Sequence, residues 1–120
     1  MNISKVIVAH LRESLGVRVT TEMPEKRVLP IVTGVLPIVT VVRTGGGGNR
    51  FREQARYSIH SWAESEAAAY ELSLAADEAM YELDAADVNI ALVTQESLYS
   101  NIYPDGTRRW TGTYTITSNR

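Results

Sequence analysis

The side chains that could act as general acids, general bases or metal ligands are two histidines, His10 and His60, and fourteen carboxylates, with no cysteine at all. The missing thiols remove disulfide frameworks, thiolate zinc sites and a cysteine nucleophile together, and they fit a reducing compartment. Neither histidine stands in a HExxH, HxH or serine-triad setting. His10 reads as a boundary residue beside an apolar helical stripe, and His60 as a titrating surface side chain on the outer face of a strand near Arg56. Eight of the carboxylates are strung along one helical stretch, whereas general acid–base work needs two of them converging on a substrate. Asp84 and Asp87 flank a short acidic turn, and without an oxygen-rich loop around them they read as a solvated helix end. The expectation is a protein that is not an enzyme, with no catalytic residue, no cofactor and no metal.

Thr44-Gly45-Gly46-Gly47-Gly48-Asn49-Arg50 is the one stretch that could cradle a phosphate. No Gly-Lys-Ser/Thr follows it, and the next element is a strand rather than a helix whose N-terminus would meet the anion. It reads as the loop of a hairpin. Four glycines in a row are costly to order, so such a tip is either mobile or held by a partner.

Charge is sorted along the chain. Arg43, Arg50, Arg52 and Arg56 crowd the central hairpin, opposed in the sequence only by Glu53. Glu64, Glu66, Glu71, Asp77, Glu78, Glu82, Asp84 and Asp87 crowd the stretch after it, which has no lysine or arginine. One reading is two solvated surfaces. The other is a self-complementary protein in which one subunit's hairpin meets the next subunit's helix. The candidate interface residues are then Arg43, Gly45, Gly46, Gly47, Gly48, Arg50, Arg52 and Arg56 on one side and Glu71, Glu78 and Glu82 on the other. Such a contact joins unlike patches and builds a ring if the rotation closes. Ten arginines to two lysines suit pairing with carboxylates. Exposed ion pairs contribute only about 0–1 kcal/mol each, so apolar surface, with Val28 to Val35 as the candidate, must supply most of the affinity.

The elements that position these residues follow from periodicity. Ala55, Tyr57, Ile59 and Ser61 alternate with Arg56, Ser58, His60 and Trp62, which describes a half-buried strand. The period then changes: Ala68, Leu72, Ala75, Ala79 and Leu83 fall on one helical line, with Ser65 as N-cap. Ile3, Val6, Ile7, Leu11 and Leu15 predict a first helix over Ile3 to Leu15, capped by Gly16. Val17 to Thr21 reads as a short strand ended by a turn at Met23 to Lys26. Asn89 to Tyr99 reads as a strand, Tyr103-Pro104-Asp105-Gly106 as a turn. The last strand sets Trp110, Gly112, Tyr114 and Ile116 against a threonine face, with Gly112 marking a bulge or the close approach of a ring. The expected fold is α+β: a mainly antiparallel sheet of four to five strands covered by two helices, in the order α-β-β-β-α-β-β.

Leu29-Pro30-Ile31-Val32-Thr33-Gly34-Val35 is followed at once by Leu36-Pro37-Ile38-Val39-Thr40-Val41-Val42, identical at six of seven positions. A seven-residue step would put the second copy on the opposite face of one continuous strand. Only Ile38 to Arg43 is therefore expected to form a regular strand, and the first copy to extend a loop or an edge.

Composition bounds the class. The chain of 120 residues predicts one domain over residues 1–120, and its formal net charge of −2 argues against a dedicated nucleic-acid binder. No N-terminal signal is visible, and Val28 to Val42, the most apolar segment, is too short to span a bilayer and holds two prolines. A soluble protein is expected.

In this order the pieces resemble a family. Thr20-Thr21-Glu22-Met23-Pro24, then Pro37 to Val42 leading into Arg43-Thr44-Gly45-Gly46, then Arg50 and the strand Ala55 to Ala63 all fit. So do a helix with Ala69, Leu72 and Ala75 in register, and Tyr103 to Gly106 leading to Arg109-Trp110. The chain is similar to the small tail terminator proteins of long-tailed phages, especially those infecting actinobacteria. The first Leu-Pro-Ile-Val-Thr copy departs from that spacing as seven extra residues. The resemblance implies a structural protein without catalysis or cofactor. It forms a ring, as a rule a hexamer, that caps the tail tube, stops its polymerisation and docks the head through the neck. It implies the tube protein and a neck or head–tail connector protein as partners, genome DNA passing through the lumen without specific binding, no membrane, and a place in the virion. Another neck or connector protein, or a small nucleic-acid- or protein-binding module, is the alternative.

Overall fold

Ile3, Ile7 and Leu11 recur at intervals of four and are all buried, so the segment settles as helix α1 (Ile3–Leu15) with one apolar stripe turned inward. Gly16, at φ 66, ends the helix by returning its N–H to the Arg12 carbonyl at 3.1 Å. Arg12 in turn donates from Nε to the Val19 carbonyl at 3.0 Å, which ties the helix to strand β1 (Arg18–Thr20). The computed structural model describes residues 3–21, 37–48, 50–63, 65–87, 90–102 and 108–119. The turn at Met23 to Lys26, the first Leu-Pro-Ile-Val-Thr copy, the apolar surface assigned to Val28 to Val35 and the Tyr103 to Gly106 turn lie outside the described residues.

The remaining elements are β2 (Ile38–Gly48), β3 (Arg52–Ala63), α2 (Glu66–Tyr81), the one-turn α3 (Leu83–Ala86), β4 (Ile90–Ile102) and β5 (Arg108–Asn119). They build a five-stranded sheet in the order β1-β2-β3-β5-β4. Three pairings are antiparallel and β1–β2 is parallel, so the α+β class holds with a mixed sheet. β3 and β5, the two strands with the cleanest alternation, occupy its interior. Extra residues at Thr44, Ala91 and Glu96 interrupt the register as bulges.

The helices lie on the face made by Val39 and Val41, by Ala55, Tyr57 and Ile59, by Tyr114 and Ile116, and by Ile90 and Val93, and these close one core with Ile3, Ile7, Leu11 and Met80. Tyr114 folds back over Gly112 so closely that an added Cβ there would sit 2.8 Å from its ring. The glycine therefore answers a ring, not a bulge, since β5 keeps its register at Gly112 with both neighbours.

Ser65 caps α2, its Oγ accepting from the Ala68 N–H at 3.1 Å. The phase of α2 differs from the expected one. Ala69, Ser73, Ala76, Ala79 and Met80 are buried, Leu72 is half-buried, and Ala68 and Ala75 face solvent. An alanine contributes little on burial, so a ring of alanines leaves the rotation of a helix undetermined, and the fully buried Met80 sets it instead. Ser73 can join the buried side because its hydroxyl donates to the Tyr70 carbonyl at 2.7 Å. The same rotation carries Tyr70, Leu74 and Tyr81 outward, each more than two-fifths exposed.

The molecule measures 45 × 23 × 22 Å, its long dimension matching a twelve-residue strand. α2 is sixteen residues long, about 24 Å, and starts at the Ala63 end of β3. The other end of the β2–β3 hairpin runs on past the helices, and none of the described residues from Val42 to Gln54 joins the core.

Candidate subunit interface

The hairpin is longer than its sequence suggested. Gly45, Gly46, Gly47 and Gly48 are not its loop: they form the end of β2, opposite Arg56, Ala55, Gln54 and Glu53. Two of the four have a structural reason to be glycine. Gly48 has φ 127, and a Cβ on Gly46 would stand 2.7 Å from the Gln54 carbonyl oxygen. Gly45 and Gly47 have open space around them. β2 ends at Gly48 and β3 begins at Arg52, so the described Arg50 and Phe51 lie between the two strands.

The arginines separate onto different surfaces. Arg43 follows Val39 and Val41 on the helix side of the sheet, where its guanidinium crosses Gly46 and reaches Glu53 at 3.1 Å. Arg52 and Arg56 alternate with Ala55 and so point to the open side. Arg50 stands at the turn, 5.5 Å from the Phe51 ring centroid. The hairpin is not opposed by Glu53 alone. Glu96, the extra residue of the β4 bulge, accepts from Thr115 Oγ1 at 2.6 Å and lines one shallow groove with Arg56, Gln54, Gly46 and Gly47. That acid arrives from a strand two places away, so its neighbourhood could not be read along the sequence.

On α2, Glu71, Glu78 and Glu82 form an exposed line on the side turned away from the core. Asp77 leaves that line and turns to the sheet, where its Oδ1 accepts from the Tyr114 hydroxyl at 2.8 Å and from the Gln95 amide. Burial holds the Tyr114 phenol well above its ordinary range, and the Asp77 carboxylate pushes the same way. Arg52 and Arg56 thus occupy one broad face of the molecule and the three glutamates the other.

The two histidines lie on opposite sides of the sheet. His10 bridges the helices, its Nε2–H donating to the Ala79 carbonyl at 2.8 Å, which is the boundary role its position suggested. His60 is not a titrating surface side chain. It is packed on the open face against Thr111, with Nδ1 2.9 Å from the Thr111 hydroxyl, and edge-on to Trp62. Burial lowers its pKa to about 4, with the Arg109 guanidinium acting in the same direction. Trp62, although on the open side, is buried: its Nε1–H donates to Thr40 Oγ1 at 3.1 Å and Arg109 lies 5.2 Å over its ring. Among the described residues no three histidine, cysteine, aspartate or glutamate side chains converge, and no helix is long and apolar enough to cross a membrane.

Two features were missed in the sequence. One is Phe51, seven-tenths exposed at the turn between Arg50 and Arg52. The other is the exposed stripe of Tyr70, Leu74 and Tyr81, which runs beside the glutamate line. The spacing 70, 74, 81 is itself helical, and it offered a second apolar line of larger side chains beside the alanine line. The Tyr70 ring packs at a tilt against Trp110, 4.7 Å between centroids, and the two rings line a groove with Glu66 and Ala67. No protein-family model matches the chain, and no curated protein matches it.

Proposed function

We propose that this chain is a structural protein of a phage tail, a tail terminator whose ring caps the tail tube, stops its polymerisation and presents a docking surface to the neck. The observation that carries this reading is the placement of its charged surfaces: Arg52 and Arg56 on the open sheet face, Glu71, Glu78 and Glu82 on the helical face. A contact between them joins unlike patches, so every subunit offers one of each, and repeated head-to-tail such a contact closes as a ring or grows without end. The order and spacing of the pieces from Thr20 to Trp110 support the same family.

On this reading the partners are other copies of the chain, six to a ring, the tail tube protein and a neck or head–tail connector protein. Genome DNA crosses the lumen without being held, and the ring sits at the head-proximal end of the tail in the virion. The test is a capping assay with the tube subunit of the same phage. Purified chain added during polymerisation is expected to halt elongation at substoichiometric ratios. Undiminished tube growth, with the chain instead on the head side of assembled particles, would identify a different connector protein. A monomer that retains oligonucleotides would identify a binding module.

A further inference from the structure

Phe51 and the Tyr70–Trp110 groove are the two most distinctive surfaces left over by the fold. Phe51 is an aromatic ring with 72 % of its surface exposed, at the end of a hairpin that extends past the core, flanked by Arg50 and Arg52. The groove is apolar and aromatic, open to solvent, and bordered by Glu66; Glu71 follows on the next turn of α2. Apolarity and charge match: an aromatic anchor between two cations would meet an aromatic groove bordered by Glu66, with Glu71 one turn further along α2. Aromatic and arginine side chains are enriched at protein interfaces.

A chain's own Phe51 cannot fill its own groove. β3 leads directly from the turn to Ala63, and Ser65 caps the helix that carries Ala67 and Tyr70. Twelve strand residues therefore separate the ring from the groove, roughly 35–40 Å at about 3.3 Å each. The occupant must be another molecule, and the complementary charge is this chain's own. We infer that the hairpin turn of one copy, led by Phe51, docks in the Tyr70–Trp110 groove of the next copy, with Arg50 and Arg52 meeting Glu66 and Glu71. This inference rests on the ring reading, and it replaces Val28 to Val35 with named residues as the source of apolar contact. It also moves the arginines' partners from Glu78 and Glu82 toward the first turns of α2. The contact joins opposite ends of a 45 Å molecule, so on the ring reading it runs head-to-tail around the ring, whereas two antiparallel copies exchanging it reciprocally would give a two-fold dimer that the mass distinguishes.

Because the chain has no cysteine, a pair of single variants tests this directly. Phe51→Cys and Ala67→Cys are both solvent-facing substitutions, so each variant should keep the fold, checked by circular dichroism. Mixed under mild oxidation, they are expected to give a disulfide-linked dimer in several-fold excess over that formed by either variant alone. Phe51→Ala is expected to raise the concentration needed for assembly by about 10- to 100-fold, and Arg50→Glu with Arg52→Glu to do so more strongly at low salt. The mass of the unmodified chain separates the two levels of the argument. Rings with no excess cross-link in the mixture would overturn this contact and leave the ring reading standing. A monomer at every concentration, without cross-link, would overturn both.

Discussion

The rotation of α2 decides which side chains support the core and which are available for assembly, and a pair of alanine substitutions measures it. Met80 is fully buried among core residues from both helices and the sheet, whereas Leu74 is 43 % exposed. Removing the Met80 side chain beyond Cβ loses its transfer free energy and leaves a cavity, so Met80→Ala should cost about 2–5 kcal/mol. For a domain of this size each kcal/mol lowers Tm by roughly 3–6 °C, which places the variant at least 6 °C below the parent. Leu74→Ala removes surface that is already half wet and should cost at most about 1 kcal/mol. Leu72→Ala, at a half-buried position, should fall between them. Thermal unfolding followed by circular dichroism, at a concentration where the chain is monomeric, gives all three. Equal losses at Met80 and Leu74, or a larger one at Leu74, would refute the assigned phase and with it the exposed stripe.

His60 should make stability depend on pH. Its pKa is depressed in the folded protein, so the unfolded chain takes up the proton first as pH falls. Stability is then fully present above about 6.5 and declines toward pH 4. Because the side chain is only half-buried, solvent screening limits the effect to about 1–2 kcal/mol, and denaturant titrations of His60→Asn should show a flatter profile between pH 5 and 6.5. Asp77→Ala should cost about 1–3 kcal/mol because the buried Tyr114 hydroxyl loses its acceptor, while Asp77→Asn keeps one and should cost less. Equal urea midpoints for these two variants would remove Asp77 from the network. Gly48→Ala, forced into a positive φ, should cost about 1–3 kcal/mol, whereas Gly47→Ala, with open space around it, should be neutral. Matching effects at the two glycines would mean that Gly48 is not held at its strained angle.

Local signals were legible wherever one residue type decides a conformation. The apolar stripe and Gly16 fix both ends of α1, Ser65 fixes the start of α2, and the alternation in β3 and β5 places both strands inside the sheet. Gly112 announced a close ring because only a missing Cβ leaves that room. What the sequence could not convey depends on partners far along the chain. β-pairing of the glycine run is imposed by residues 53–56 across the hairpin, which overrides glycine's low preference for strands. His60 is desolvated by Thr111, Trp62 and Arg109, two of them from a strand fifty residues away, and Glu96 meets the arginine hairpin only because β5 lies between β3 and β4. The candidate interface was half legible for the same reason. Charge sorting along the chain separated a basic hairpin from an acidic helix, but the faces on which Asp77, Phe51 and the tyrosines of α2 emerge depend on the strand pairing of the hairpin and on the rotation of the helix.

Self-assembly through unlike surfaces is the central proposal, and the mass of the purified protein tests it most directly. Native mass spectrometry, with negative-stain micrographs of the same sample, should show a closed ring with an open centre, at six copies of the 13.3 kDa chain. Its population should fall when Arg52 and Arg56 are reversed to glutamate. A species that stays monomeric at all concentrations, or a two-fold dimer indifferent to those reversals, would contradict it.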